Sequence, residues 1–256
     1  MTIQCDLSGK LALITGASSG LGEHFARTLA AQGASVVLAA RRLEKLNALK
    51  EDIENNGAKA FAVKMDVTSL SSVEAAFAAI QSEFNRPCDT LINNSGVAQS
   101  SWFMDTDEEE WKTVIDTNLS GAWRVAKHAA KAMIADQQPG SIVNIASITG
   151  LRSSPMIAGY AASKAAVIHL TQNMALELAR YQIRVNSISP GYFTTPINED
   201  YLKTEHGQAM KKRIAMRRFG NHEDLNGPLL LLASDASAYM TGSNIVVDGG
   251  HTLTPL

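Results

Sequence analysis

Residues 11–22 read LALITGASSGLG. The first five form an apolar, partly β-branched run of the length of a buried strand. A turn punctuated by Gly16, Gly20 and Gly22 follows at once and opens a segment with helical spacing. Glycines permit a tight turn and let the backbone come close to a bound group, while a helix N-terminus offers unpaired N–H groups and a partial positive charge. A strand that runs through such a turn into a helix is therefore a place to seat a phosphate. The spacing is neither G-x-G-x-x-G nor a P-loop, because Leu21-Gly22 follows Gly20 where a P-loop has Lys-Ser or Lys-Thr.

The same alternation continues outward. Strand-like runs recur at 35–40, 60–67, 90–94, 141–147, 183–189 and 244–248, and segments of helical spacing lie between them at 20–32, 43–56, 71–84, 108–135, 155–180 and 222–233. A β-α order of this kind predicts an α/β fold: a single doubly wound Rossmann-like domain over 1–256, with a seven-stranded parallel sheet flanked by helices on both faces. Right-handed crossovers gather the strand-to-helix loops on one edge of the sheet. The exception is 192–218, a long mixed segment after Pro190-Gly191, which reads either as a substrate lid or as a pair of surface helices.

Composition narrows the partners. A chain of 256 residues, 45% hydrophobic, can bury one large core. Its 23 basic and 25 acidic side chains are interspersed at a net charge of −2, so no basic stripe points to nucleic acid or to a membrane, and a small molecule is the expected partner. The start lacks the basic and apolar regions of a secretory signal, and a cytoplasmic protein is expected. Cys5 and Cys88 form no C-x-x-C pair, and the six histidines show no ligand spacing, so neither a disulfide framework nor a metal is expected.

About 20 residues after its glycines, an NAD-binding Rossmann unit places an acid on the ribose 2′-hydroxyl. Here the end of the second strand reads Ala39-Ala40-Arg41-Arg42. An acid is missing and two guanidiniums are present, which suits a 2′-phosphate and favours NADP(H) over NAD(H). Asp66, after the third strand, can accept from an adenine amine or fix a turn. A rival reading lies in the same glycine loop, since Gly16-Ala17-Ser18-Ser19-Gly20 fits the G-x-S-x-G elbow of a serine hydrolase, with Ser18 as nucleophile and His222 or His251 as base. Its position on the first strand argues against it, because no earlier loop exists to supply the second oxyanion donor.

The fifth strand-like run ends at Ser147, and Tyr160 and Lys164 follow four apart, on one face of a helix. A free tyrosine ionises near a pKa of about 10, and a neighbouring ammonium favours the phenolate, so Lys164 is expected to make Tyr160 a better proton donor. Taken together, Thr15-Gly16-x-x-x-Gly20-x-Gly22, Asp66-Val67, Asn93-Asn94-Ser95-Gly96, Asn118, Ser147, Tyr160-x-x-x-Lys164 and Pro190-Gly191 resemble the short-chain dehydrogenase/reductase family over essentially the whole chain.

That resemblance implies an oxidoreductase with Tyr160 as general acid/base, Ser147 donating to the substrate oxygen, Lys164 holding the nicotinamide ribose, and Asn118 positioning a water. It also implies that Ser18, Ser19 and Leu21 line the pyrophosphate and ribose, that Asn94, Ser95 and Gly96 flank the adenosine ribose, and that Phe193 and Thr195 meet the carboxamide. A homotetramer follows from the same resemblance, with contacts through 108–135, 155–180 and the last strand. Two departures stand out: Ser19 occupies a place where many NADP-dependent members have a basic residue, and the usual N-N-A-G is N-N-S-G. The expected activity is an NADPH-dependent carbonyl reductase or secondary-alcohol dehydrogenase acting on a ketone or secondary alcohol. A 3-oxoacyl-thioester reductase is the alternative within the family, and a non-catalytic nucleotide sensor is one outside it. Trp102, Phe103, Met156, Tyr192 and Phe193 are candidates for an apolar substrate pocket.

Overall fold

The computed structural model describes residues 5–195 and 199–253. Seven strands form one parallel sheet: β1 (Leu11–Thr15), β2 (Ser35–Ala40), β3 (Ala60–Lys64), β4 (Thr90–Asn93), β5 (Gly140–Ile145), β6 (Ile183–Pro190) and β7 (Asn244–Val247). Their order is β3-β2-β1-β4-β5-β6-β7, which reverses direction of growth between β1 and β4. In open α/β sheets that reversal leaves a crevice at the carboxyl ends of the strands, where ligands bind.

The two-residue period of the strands divides the core in two. Ala12 and Ile14 of β1 pack on one face with Phe25 and Leu29 of α1 (Gly20–Ala31), Leu46 and Ile53 of α2 (Leu43–Asn55), and a later helix; Leu11 and Leu13 point to the other face. There they meet Val73 and Ile80 of α3 (Leu70–Phe84) and, further along the chain, Val125 and Met133. Phe25, Leu29 and Ile80 are essentially inaccessible, and each such side chain contributes about 1.5–3 kcal/mol of burial.

Three boundaries differ from the sequence reading, and each difference shapes the site. The third strand stops at Lys64, so Met65, Asp66 and Val67 leave the sheet at its carboxyl edge. The fifth stops at Ile145, and Ser147 instead caps a 3₁₀ turn over Ile148–Gly150. The helix expected over 108–135 is three pieces: α4 (Glu108–Ile115), a π-helical turn (Asp116–Gly121) and α5 (Ala122–Ala135). Asp107 caps α4 by accepting from the Glu110 N–H at 2.7 Å, and three glutamates follow in its first turn, which accounts for the acidic run there.

Helix α6 (Ala158–Leu178) carries Tyr160 and Lys164. Between β6 and β7 the chain forms α7 (Glu199–Lys203), α8 (Glu205–Lys211) and α9 (Asn226–Ala233), the last packing Leu229 and Leu232 on the α1 face. The segment 192–218 thus contains a pair of short helices; its residues 196–198 lie outside the described residues.

Candidate active site

A cleft of about 410 Å³ opens along the carboxyl edge of the sheet across the β1/β4 reversal. One end is the glycine turn. Gly16 has φ 69° and Gly20 φ 59°, a region that L side chains rarely adopt. A Cβ added to Gly22 would stand 2.3 Å from the Gly16 carbonyl oxygen and 2.6 Å from Asn94 Nδ2, so α1 begins in direct contact with the turn. Thr15 Oγ1 accepts from the N–H groups of Asn94 and Ser95, both at 3.0 Å, and Asn94 Nδ2 donates back to the Thr15 carbonyl. These bonds lock the β1 turn to the β4 turn and leave Gly16, Ser18, Ser19, Gly20 and Leu21 facing the cleft opposite Asn94, Ser95 and Gly96.

The side wall is cationic. Arg41 and Arg42 both line the cleft, and Arg42 folds back over the glycine turn, with Nη2 donating to Ser18 Oγ and to Ser19 Oγ at 2.8 Å each. A guanidinium from the end of β2 thus lies across Ser19, the loop position where the sequence lacks a basic residue. Burial works against the Asp66 carboxylate, but bonds from the Thr68 hydroxyl and N–H and the charge of Arg41 outweigh it and hold its pKa below the ordinary value. Val67 lies beside Asp66 in the same wall.

The far end carries the polar side chains of β5 and α6. Ser147 stands beside the Tyr160 phenol, and Thr149 donates to Ser147 Oγ from both its hydroxyl (2.9 Å) and its N–H (3.2 Å). With those lone pairs engaged, the Ser147 proton is left to be donated to the Tyr160 oxygen or to a group bound beside it. Lys164 is buried and donates to the Ile145 carbonyl at 2.8 Å, with its ammonium 5.6 Å from the centre of the Tyr160 ring. The helix thus puts Tyr160 and Lys164 on one face, but the expected lowering of the phenol by Lys164 is not what this geometry produces. Burial pushes the Tyr160 phenol above its usual range, Ser147 only partly offsets this, and burial brings the Lys164 ammonium down to about 8. The charge faces the ring and a backbone carbonyl, and the loss of water around the phenol dominates.

Pro190, Gly191, Phe193 and Thr195 close the cleft beside this group. Gly191 packs against the Asp248 backbone, where an added Cβ would meet the Asp248 Cα at 2.8 Å. Two of the catalytic and cofactor residues selected from sequence do not line the cleft, nor do the pocket candidates Trp102, Phe103, Met156 and Tyr192. Gly22 lies beneath the turn, and Asn118 is buried on the π-helical turn, where its side chain accepts from the Val97 N–H at 2.8 Å and donates to the Val97 carbonyl and to Ser163 Oγ. All its polar atoms are engaged, so the side chain acts as a clamp. A Cβ on Gly96 would come 3.3 Å from Asn118 Oδ1 and 3.6 Å from Lys164 Nζ, which places all three together. Thr113, Thr117, Thr149 and Ile145 were not singled out from sequence; a β-strand terminus followed by Ser-x-Thr is the one signal that points to Thr149.

The hydrolase reading does not survive the geometry. Ser18 Oγ is occupied by Arg42, while His222 Nε2 meets the Thr194 carbonyl at 2.7 Å and the His251 ring lies 5.5 Å from that of Tyr192. A guanidinium beside a serine offers no base. Among the described residues, no group of His, Cys, Asp or Glu could hold a metal ion, and no helix is long and apolar enough to cross a membrane.

A parallel sheet with a glycine turn at its reversal point and Ser, Tyr and Lys at the far end of one cleft defines a dinucleotide-binding oxidoreductase fold. Residues 16–252 match the family profile described as Enoyl-(Acyl carrier protein) reductase. The chain is 40% identical to a short-chain type dehydrogenase/reductase from Mycobacterium marinum, whose crystal structure superimposes with a TM-score of 0.92 over 97% of this chain and 98% of that one. It is 37% identical to the 3-oxoacyl-[acyl-carrier-protein] reductase FabG of Thermotoga maritima, covering 95% of this chain and 98% of the other. A gluconate 5-dehydrogenase from Burkholderia cenocepacia, crystallised with NADP and tartrate, is 34% identical with a TM-score of 0.95 over 98% of both chains. The chain belongs to the short-chain dehydrogenase/reductase family, and it is an oxidoreductase.

Proposed function

We propose that this oxidoreductase is an NADP(H)-dependent carbonyl reductase, working in reverse as a secondary-alcohol dehydrogenase. The observation that carries the reading is the Ser147–Tyr160–Lys164 group at one end of a cleft whose other end is a glycine turn flanked by two arginines. The cleft fits a dinucleotide: the space over Gly16 and Gly20 admits a close backbone approach, and Arg41 and Arg42 supply the charge for a 2′-phosphate with no carboxylate at the end of β2. Ser18, Ser19 and Leu21 would hold the pyrophosphate, Asn94 to Gly96 the adenosine ribose, Lys164 the nicotinamide ribose, and Phe193 and Thr195 the carboxamide end. Bound there, the nicotinamide supplies or accepts a hydride at the carbonyl carbon.

The chain's own residues do the rest. Thr149 keeps the Ser147 proton aimed at the substrate oxygen, and Ser147 stabilises the negative charge that develops on it. Tyr160 Oη gives that oxygen its proton in reduction and takes it back in oxidation. A phenol that stays protonated is a competent acid, and its bond to Ser147 partly offsets the cost that burial puts on losing the proton. Asn118 fixes Val97 and Gly96 beside Lys164, so that a water there has a defined place.

A second reading within the family is reduction of a 3-oxoacyl thioester, which the likeness to FabG supports. The Phe193–Gly220 bridge makes 194–219 an excursion that leaves and returns beside the cleft, consistent with α7 and α8 acting as a cover. Exposed Trp111, Trp123 and Val246, on α4, α5 and the edge strand β7, favour a homotetramer, testable by light scattering.

The experiment is NADPH and NADH consumption with a panel of ketones, for the native protein and for Tyr160→Phe. Removing a general acid costs about 10²–10⁴-fold in rate. An undiminished rate in Tyr160→Phe would refute the mechanism, and lower KM for NADH than for NADPH would refute the cofactor assignment.

A further inference from the structure

Two neighbouring loops flank the Ser147–Tyr160 pair, and together they expose more large apolar surface than a solvated rim requires. The loop 151–157 leaves the 3₁₀ turn begun by Ser147 and ends at the helix that carries Tyr160, so both of its ends are pinned at the reacting group. It presents Leu151, 46% exposed, and Met156, 37% exposed. The Met156 carbonyl accepts from the Ser101 N–H at 2.9 Å, which ties this loop to the next one.

That second loop turns tightly, with the Asp105 and Thr106 N–H groups both bonded to the Trp102 carbonyl, and it carries Trp102, Phe103 and Met104 at 59, 75 and 87% exposure. Met156 also has φ 66°, a left-handed conformation that is strained for a residue with a side chain, and the bond to Ser101 holds it there. None of the five lines the cleft itself; isolated exposed apolar residues are ordinary, but five on two loops bonded to each other beside the reacting group are a concentration that marks a binding surface. The charges of these loops do not suit an anion. Asp105 and Asp107 are negative, and Arg152, the one cation, already has a partner. Of the aromatic candidates read from sequence, Phe193 is buried in the cleft wall and Tyr192 lies against His251, so neither belongs to this patch.

We infer that Trp102, Phe103, Met104, Leu151 and Met156 form the specificity surface of the site, and that its substrate is a ketone with an extended apolar body rather than a polyhydroxy acid. The inference rests on the carbonyl reductase reading above. Each side chain would be covered by the part of the substrate that does not react, so its effect falls on substrates long enough to reach it.

The test measures kcat/KM with 2-octanone, 2-butanone and 5-ketogluconate, for the native protein and for Phe103→Ser combined with Leu151→Ser. Native protein should prefer 2-octanone over 2-butanone by at least about tenfold and should prefer both over the keto acid. In the double variant the 2-octanone to 2-butanone ratio should fall toward one, through KM. A higher kcat/KM for 5-ketogluconate would overturn the substrate inference while leaving the reductase reading intact. An unchanged ratio accompanied by a change in oligomer mass would overturn it in favour of an interface between copies, and an unchanged ratio at unchanged mass would overturn it outright. No cofactor consumption with any ketone would overturn both readings.

Discussion

The Lys164 ammonium donates to the Ile145 carbonyl at 2.8 Å from a position only 5% exposed, with no carboxylate paired to it among the described residues. The site thus keeps a cation where the rest of the fold would rather have none. Burial brings its pKa from 10.5 to about 8. Between these values the unfolded chain binds a proton that the native chain has shed, so stability rises with pH across that window; below about 8 the native ammonium is charged and the full penalty stands. The penalty is on the order of 3 kcal/mol. Thermal melts of the cofactor-free protein from pH 7.5 to 9.5 should show this upward contribution, and Lys164→Met should remove it and melt higher at pH 7.5. Parallel pH profiles in the two proteins would show that Lys164 is not the group responsible.

Thr149 offers a test of how Ser147 is aimed. In Thr149→Val the hydroxyl that donates to Ser147 Oγ at 2.9 Å is gone, and the serine proton is free to turn away from the substrate. Because the effect passes through Ser147, the expected loss is about tenfold in kcat, smaller than the 10²–10³ of a deleted oxyanion donor. KM for ketone should move little, and Thr149→Ser should restore the rate. A loss in Thr149→Val that Thr149→Ser did not rescue would make the residue structural only.

The fold was legible because each strand repeats a two-residue period and each helix a longer one: Ala12 and Ile14 on one face and Leu11 and Leu13 on the other are already visible in LALIT. The site was legible where one residue's chemistry is enough, as with Gly16, Ser147, Tyr160 and Lys164. What was not legible depends on partners far apart in sequence. The π-helical turn around Asn118 reads as plain helix, because nothing local announces that Val97 will capture its side chain. Arg42 reads as a cofactor ligand or a solvated helix start, and only the fold shows it holding Ser18 and Ser19, 24 and 23 residues earlier. The raised Tyr160 phenol could not be foreseen, since burial is a property of the assembled cleft.

The two arginines should separate by mutation. Arg41 lies beside Asp66 on the open wall, so Arg41→Asp puts a carboxylate against the 2′-phosphate and should weaken NADPH by about tenfold or more while leaving NADH nearly unaffected. Arg42→Ala removes part of the positive charge but also releases the hydroxyls of Ser18 and Ser19, which serve both cofactors, and should weaken NADH as well as NADPH. Thermal-shift titrations with each nucleotide read the difference directly, because a ligand of the native state raises the melting temperature with concentration. Equal losses for both nucleotides in Arg41→Asp would place the 2′-phosphate elsewhere.

Two glycines in helices should respond very differently to the same added methyl. In α9, Gly227 has nothing within 4 Å of an added Cβ beyond its chain neighbours, but Pro228 follows it, and a Cβ before proline disfavours the helical backbone, so Gly227→Ala sets that crowding against its propensity gain and should change stability by less than about 1 kcal/mol. In α1, the Cβ of Gly22→Ala would press on the Gly16 carbonyl oxygen at 2.3 Å and on Asn94 Nδ2 at 2.6 Å. The first contact is backbone, which cannot swing aside as a flexible side chain can. The turn itself must move, at a cost of about 1–3 kcal/mol that exceeds the propensity gain. That movement also opens the contact between the β1 and β4 turns, so cofactor affinity should fall with stability in Gly22→Ala and stay constant in Gly227→Ala. Urea unfolding with and without NADPH gives both quantities from one set of samples. Equal stability of the two variants, or unimpaired NADPH stabilisation in Gly22→Ala, would show that the turn yields without disturbing the cleft.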